Sequence, residues 1–290
     1  MSTRFRVVTF VLALAVVFLA ARGVGAVTNP VTDTATASHD EMVATDGGHG
    51  DDHAADESGG APAHQPGGLA SSDQGYALRV LGKQPLRFVV DDPEGRAVQV
   101  YDLVHERPLH LVAINRDGSG YDHLHPELSD DGVWSVDADL TPGTTRLVAD
   151  FTPRGGPALI LGTDVQRAGD FRPASPPEPS RTDSVGPYDV TLTGDLVPGE
   201  SSPVTATITR DGEPVTDLAP YLGAFGHLVA LREGDLGYLH VHPEKSDAGP
   251  QVPFLAEVPS AGRYRLFLDF RHDGVVRTAS FTLKGAGHDL

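Results

Sequence analysis

Six histidines fall at a repeated spacing that suits a metal ion. The first set is His110, His123 and His125, and the second set is His227, His240 and His242. Each set has one pattern, a histidine, twelve residues, and then His-x-His-Pro-Glu. Three neutral imidazoles can share one ion at about 2.0–2.1 Å per bond, and such ligands suit Cu²⁺ or Zn²⁺. The pattern therefore predicts two metal sites with the same internal geometry.

Strand rules give the expected geometry of each set. Side chains alternate faces along a strand, so His123 and His125 share a face. The segments RDGSG and REGDLG follow apolar runs and indicate hairpin turns. If the first turn centres near residue 117, His110 lies opposite His123 or His125, with directly paired Cβ atoms about 5 Å apart. By the same rule, His227 lies opposite His240 or His242.

Carboxylates near the histidines could support a metal. Glu127 and Glu244, which follow the last histidine and proline of each set, could be fourth ligands or could orient a ring. Asp150 and Asp269 are weaker candidates for the orienting role. The alternative interpretation is a structural cluster, because duplication copies hydrogen-bonded core residues as faithfully as it copies ligands.

The histidines belong to a stretch of chain that occurs twice. HLVAINRDGSGYDHLHPEL and HLVALREGDLGYLHVHPEK are identical at ten of nineteen positions without a gap. Downstream, TTRLVADF, which ends at Phe151, matches RYRLFLDF, which ends at Phe270. His105, His272 and His288 have no counterpart in the other copy, and we expect them at the surface or in the tail. The sequence thus indicates a tandem duplication in which each copy is a domain.

Both copies have a residue pattern that is typical of an all-β fold. From Gly75 onward, short runs of alternating polarity are separated roughly every 8–12 residues by Gly, Pro or Asp clusters. This spacing predicts two tandem immunoglobulin-like β-sandwiches, which lack the usual cysteine pair. The strands predicted for the first copy are Tyr76 to Leu81, Leu86 to Val90, Ala97 to Tyr101, Leu109 to Asn115, Tyr121 to His125, Val133 to Ala138, Thr144 to Phe151 and Ala158 to Asp164.

The strand that carries His227 is apolar on both of its faces. Leu228 and Ala230 lie on one face, and Val229 and Leu231 lie on the other. We therefore expect the histidine face to be covered as well, and the other repeat is one element that could cover it. In that arrangement the six histidines would approach an interface between the repeats.

The chain divides into six predicted segments. They are a signal peptide or membrane anchor at 1–27, a disordered His- and Asp-rich linker at 28–73, a first sandwich at 74–169, a proline-rich connector at 170–186, a second sandwich at 187–286 and a tail at 287–290. Basic residues precede the apolar run Val7 to Ala21, and small residues ending at Ala26 follow it. Cleavage would release the protein, whereas retention would anchor it in the cytoplasmic membrane by residues 7–26. Both outcomes place the repeats outside the cytoplasm.

Composition narrows the possible ligands and partners. The net charge of −18 repels nucleic acid and favours cations. The chain has no cysteine, which excludes disulfides, zinc–thiolate sites and blue-copper sites. It has only two methionines, so it offers few of the soft ligands that Cu⁺ prefers. No catalytic motif is present, so the sequence does not predict an enzyme. We expect a metal ion as the partner, and an envelope protein is a further candidate.

The motifs HLHPE and HVHPE, in an exported β-domain, resemble those of uncharacterised exported bacterial β-sandwich proteins with a repeated HxHPE motif. The chain is also distantly similar to YtkA-like and copper-handling periplasmic domains. The resemblance implies extracytoplasmic handling of Cu²⁺ or Zn²⁺ by the six histidines, through buffering or delivery. The alternative is a non-catalytic structural or interaction protein of the cell envelope whose histidines are structural.

Overall fold

The computed structural model describes residues 66–239 and 241–285, and the regular structure in these ranges is entirely β. None of these residues forms a helix that is long and apolar enough to cross a membrane. The predicted signal or anchor segment, most of the predicted linker, His240 and the tail at 287–290 lie outside the described residues.

The first repeat forms two antiparallel sheets. One sheet has the order β1-β2-β3-β8-β7 and the other has the order β10-β9-β5-β6, with β4 paired to β9. The ten strands are β1 (Ser72–Asp73), β2 (Tyr76–Lys83), β3 (Leu86–Asp91), β4 (Tyr101–Asp102), β5 (Leu109–Asn115), β6 (Asp122–Leu124), β7 (Glu127–Leu128), β8 (Val133–Val136), β9 (Gly143–Pro153) and β10 (Leu159–Arg167).

The second repeat has the same strand order. Its sheets are β11-β12-β13-β18-β17, with β14 paired to β13, and β16-β15-β19-β20. The ten strands are β11 (Thr182–Val185), β12 (Tyr188–Thr193), β13 (Ser201–Arg210), β14 (Glu213–Pro214), β15 (His227–Arg232), β16 (Tyr238–Leu239), β17 (Val241–Pro243), β18 (Gln251–Glu257), β19 (Gly262–His272) and β20 (Val275–Gly285).

Alternating side chains fill a core inside each sandwich. In the first repeat, Phe88, Trp134 and Phe151 are fully buried, and the Trp134 Nε1–H donates a hydrogen bond to the Tyr101 hydroxyl at 3.1 Å. In the second repeat, a separate cluster forms around residues such as Phe254. The period-two pattern of the strands thus produces two β-sandwich cores.

A third apolar cluster joins the β10-β9-β5-β6 sheet to the β16-β15-β19-β20 sheet. On β5, Leu111 and Ala113 face the first core, while Val112 and Ile114 face this third cluster. On β15, Val229 and Leu231 face it. Tyr121 stacks on Phe267 across the cluster, with ring centroids 3.8 Å apart. We call the two sheets the inner sheets, because they are buried on both faces.

Near the histidines, the chain passes from one sheet of each sandwich to the other, and strands end at these crossings. β6 pairs with β5, but β7, three residues further along, pairs with β8 in the other sheet. Likewise, β16 pairs with β15 and β17 pairs with β18. His125 and Pro126 therefore lie where the chain crosses from one sheet of the first sandwich to the other, and His242 and Pro243 lie on β17, after the corresponding crossing in the second.

The prediction of a strand at Ala97 to Tyr101 was wrong for most of its length. Only Tyr101 belongs to a strand, and Ala97 forms an isolated bridge with Asp91. The segment divides its hydrogen bonds between two sheets. Val98 N–H donates to the carbonyl of Val90, whereas the carbonyl of Val100 accepts from Arg154 N–H. A segment that crosses between sheets cannot form a continuous ladder with either one.

The end of the predicted disordered linker is ordered from Pro66 onward, so that prediction was wrong for residues 66–73. Gly67 exchanges two backbone hydrogen bonds with Tyr238 of the second repeat, each 2.9 Å long. Gly68 N–H donates to the carbonyl of Ile160, and Gly162 N–H donates to the carbonyl of Ala70. These bonds offset the entropy cost that the composition alone could not. Similarly, the end of the predicted connector forms β11, which pairs with β12.

The close approach of this segment to β10 predicts a strict requirement for glycine at position 162. A Cβ added to Gly162 would lie 1.8 Å from the carbonyl oxygen of Gly68. We expect Gly162→Ala to lower the free energy of unfolding by about 1–3 kcal/mol, as overpacking does. Urea unfolding would measure the change. Gly82→Ala is the matched control, because the nearest atom to its added Cβ is 3.7 Å away. Equal stability of the two variants would contradict the prediction.

Candidate metal centre

Three histidines of the first repeat converge, and we call them the histidine triad: His110, His123 and His125. One nitrogen from each ring lies within 4.8 Å of the others. The register explains the meeting, because β5 pairs Val112 with His123 and so sets His110 near the end of β6. His110 Nδ1 lies 3.1 Å from His123 Nε2. Two nitrogens bound to one tetrahedral ion would lie about 3.3 Å apart at the usual bond length.

A carboxylate of the second repeat orients the middle ring of the triad. Asp269 Oδ2 accepts a hydrogen bond from His123 Nδ1 at 2.8 Å, and the two side chains are only 3% and 2% exposed. Thr278 Oγ1 donates to the other oxygen of Asp269 at 2.6 Å. A carboxylate that fixes the tautomer of a histidine is the usual outer partner of a histidine ligand. The centre is therefore built from both repeats.

The hydrogen bonds leave two lone pairs facing each other. The carboxylate of Asp269 can only accept, so His123 Nδ1 carries its proton and the Nε2 of a neutral ring is a lone pair. His110 Nε2 lies 2.9 Å from the carbonyl of Val104, which also only accepts, so Nδ1 of a neutral His110 is a lone pair as well. The two nitrogens that carry these lone pairs, His123 Nε2 and His110 Nδ1, lie 3.1 Å apart. Either a shared proton, with one ring charged, or a bound cation resolves this contact.

Two further ring nitrogens are buried without a hydrogen-bond partner. They are His125 Nε2 and His227 Nε2. The His227 ring packs against the triad from the second repeat, with its centroid 4.8 Å from that of His123 and 5.4 Å from that of His110. Buried polar atoms are rarely left without partners, because each costs roughly 1–3 kcal/mol. Either atom could therefore serve as a metal ligand.

Burial lowers the pKa of three imidazoles at the centre. It lowers the pKa of His110 to about 4, and burial together with the charge of His123 lowers the pKa of His125 to about 3. Burial also holds the pKa of His227 well below its usual value. Neutral imidazole is the form that binds metal, so these rings are ready to bind at neutral pH. Asp150, opposite His110 on β9, shows the reverse effect, since burial raises its pKa to about 6.

The remaining predicted site residues lie elsewhere. His242 is exposed on β17, where it pairs with Leu255, and His240 falls outside the described residues. Glu127 and Glu244 are both exposed; Glu127 lies on β7, and Glu244 directly follows β17. The acidic partner of the triad is instead Asp269, which occupies the position opposite His227.

Of the two described histidines that were predicted at the surface, His105 keeps partial exposure and His272 is buried. The His105 ring is half-buried, with its centroid 5.6 Å from that of His227 and 6.0 Å from that of His110. His272 is 5% exposed, and its ring nitrogens contact the Tyr188 hydroxyl at 2.7 Å and Asp217 at 2.9 Å. Both predictions rested on the lack of a counterpart in the other copy, which carries no information about burial. The spacing of five residues before His110 was the available signal for His105, since it keeps that ring near the strand end.

Comparisons with known proteins do not establish a family or a function for the chain. Residues 182–287 match the family model described as "Domain of unknown function (DUF8832)", which covers much of the second repeat. No curated protein matches the chain. Among solved structures, the chain is similar to the adhesin InvE of Yersinia pseudotuberculosis, with 11% identity and a TM-score of 0.21. That match covers 75% of this chain and 56% of the adhesin chain.

The buried neutral histidines predict that the metal-free protein loses stability in mild acid. A histidine whose folded pKa is depressed contributes stability above its unfolded pKa of about 6.5, and this contribution is lost as the pH falls below that value. His110 alone accounts for loss down to its folded pKa of about 4. Asp150 has the opposite sign, because its raised pKa adds stability as the pH falls through about 6, and so has Asp122, but the histidines with lowered pKa values outnumber these two carboxylates.

Urea unfolding with a chelator present should show a plateau near pH 7 and a fall of a few kcal/mol between about pH 6.5 and 4, at about 1.4 kcal/mol for each pKa unit. His227→Leu should make this fall shallower, since it removes one depressed group. A free energy of unfolding that stays constant from pH 7 to 4.5 would contradict the prediction.

Proposed function

We propose that the protein binds a divalent transition metal, Cu²⁺ or Zn²⁺, at the histidine triad between its repeats. We further propose that it acts outside the cytoplasm, as an exported or membrane-anchored protein that buffers or delivers the ion rather than as an enzyme. The proposal includes two immunoglobulin-like domains that arose by duplication. The sequence predicts one site in each repeat, and the proposed site combines the triad of the first repeat with residues of the second; the second predicted set includes His240, which lies outside the described residues.

The facing lone pairs of His110 and His123 are the observation that carries this proposal. Asp269 and the Val104 carbonyl fix the two tautomers from opposite sides, so neither neutral ring can donate to the other. A cation that is bound by both nitrogens uses both lone pairs, and neither buried ring then has to be protonated. The alternative, a structural cluster held by one proton, satisfies the same pair. It leaves the Nε2 atoms of His125 and His227 without a role.

The donor set favours some ions over others. Imidazole nitrogens suit Cu²⁺ and Zn²⁺, and the Irving–Williams order places Cu²⁺ above Zn²⁺ at a given nitrogen site. Cu⁺ prefers thiolates and thioethers, of which the chain has almost none. Mg²⁺ and Ca²⁺ prefer oxygen ligands. The net charge of −18 raises the local concentration of cations without selecting among them.

A test of metal binding should use the full-length chain without a histidine tag. We expect Cu²⁺ and Zn²⁺ to bind the triad with micromolar or tighter affinity, with Cu²⁺ bound more tightly, and Mg²⁺ not to bind there. At about one hundred times Kd, binding stabilises the fold by about 2.7 kcal/mol. Isothermal titration and thermal unfolding with each ion would measure both effects.

The matched variant is the double substitution H125L/H227L. It replaces the two rings that hold unpartnered buried nitrogens with apolar side chains. The metal-free stability should stay constant or rise, since removing an unsatisfied polar group is favourable. Stabilisation by the metal should disappear. Histidines before residue 66 remain in both proteins, so the difference reports on the centre alone. Equal binding by both proteins would refute the proposed site.

A second prediction separates the two equivalent aspartates. Asp269→Asn weakens the acceptor that fixes the His123 tautomer, and loss of such a partner typically reduces metal affinity 10–100-fold. Asp150→Asn is the control, because Asp150 has the same position on β9 opposite His110. We expect Asp150→Asn to change the Kd by less than about threefold. Competition titrations with a chelator would show the difference, and equal Kd values for the two variants would refute the role of Asp269.

A further inference from the structure

A strained turn precedes the first histidine of the triad. Val104 and Arg107 exchange two backbone hydrogen bonds, of 2.8 and 3.0 Å, around a two-residue loop. Both loop residues have positive φ, 47° at His105 and 64° at Glu106. Such a loop is a type I′ turn, which favours Asn-Gly because side chains disfavour the left-handed region. We call residues 104–107 the His105 turn.

The second repeat contains the same turn with ordinary residues. Tyr221 and Ala224 exchange the two backbone bonds, and Leu222 and Gly223 occupy the loop with φ of 57° and 83°. The turn precedes His227 by the same spacing that separates the His105 turn from His110. One copy therefore has glycine where the other has Glu106, and a buried leucine where the other has His105. Turn geometry alone does not require a histidine here.

The His105 ring stands between the triad and the surface. Its centroid is 6.0 Å from that of His110 and 5.6 Å from that of His227, and both of those residues are buried. His105 itself is half-buried, and neighbouring Glu106 is exposed. The charge of exposed His242 adds to burial in lowering the pKa of His105, which places that second imidazole nearby. Exposure thus decreases from Glu106, which is exposed, through half-buried His105 to His110, which is buried in the triad.

Resting on the proposed function, we propose that His105 is the entry ligand of the metal centre, which takes the ion at the surface and passes it to the triad. An imidazole on a short turn at this position lets the ion exchange one nitrogen ligand for another without full hydration between steps. In the loaded protein the ion is held by the triad, so His105 sets the rates of loading and release and leaves the equilibrium affinity nearly unchanged. This explains why a ring is kept at a strained position.

The test compares the kinetics of wild-type protein with those of His105→Asn. Asparagine tolerates positive φ and so preserves the turn. We expect the rate of Cu²⁺ binding and the rate of its removal by a chelator to fall together, each by about tenfold or more, while the Kd changes by less than about threefold, because Kd is the ratio of the two rates. Stopped-flow absorbance of the Cu²⁺ bands would follow both rates. His105→Gln repeats the test if the first variant unfolds at a lower temperature than the wild type.

Glu106→Gly is the matched control, since it relaxes the same turn, copies Gly223 and keeps the His105 ring. Its rates should stay within about twofold of wild type, as the proposal requires the ring and not the strain. Unchanged rates in His105→Asn would overturn the inference. So would a slowing in Glu106→Gly equal to that in His105→Asn, or a weaker Kd with faster release, which would make His105 a permanent ligand. Failure of the wild type to bind Cu²⁺ or Zn²⁺ would instead refute the proposed function.

Discussion

The structure depends on burying the second face of the inner sheets. β5 and β15 are apolar on both faces, so a single sandwich covers only half of each strand. Leaving the other half in water would expose a contiguous apolar patch such as monomeric proteins rarely tolerate. Packing Val112 and Ile114 against Val229 and Leu231 removes this patch at once. The repeats are therefore obligatory partners, and the arrangement of their polar residues follows from that contact.

The same contact determines the chemistry of the histidines. His110 and His227 lie on the faces that meet, directly in line with the apolar residues of their strands. A low dielectric penalises a charged imidazole, and it also strengthens the hydrogen bond from His123 to Asp269 across the interface. The pKa values of His110, His125 and His227 are lowered as a result, and Asp269 fixes the proton of His123 on Nδ1. The first repeat supplies the triad, whereas Asp269 and the covering ring of His227 come from the second repeat.

Sequence reasoning could predict the features that depend on local rules. Strand periodicity and turn position were enough to bring His110, His123 and His125 together, and the two apolar faces of one strand were enough to predict a covered histidine face. The partners from the other repeat could not be predicted, because no local rule sets how two sandwiches dock. Asp269 was therefore ranked below the glutamates. The Gly-rich residues 66–73 misled for another reason: their glycines allow close backbone approach, which composition cannot distinguish from disorder.

The two copies have diverged where they meet. Phe267 of β19 stacks on Tyr121, whereas the equivalent residue on β9 is the smaller Val148. The space beside Val148 receives Gly68, whose added Cβ would lie 2.7 Å from a Val148 methyl group. The segment beginning at Pro66 then bonds to Tyr238, the counterpart of Tyr121. One side of the interface is thus closed by an aromatic stack and the other by backbone, so the duplicated sandwiches meet through two different kinds of contact.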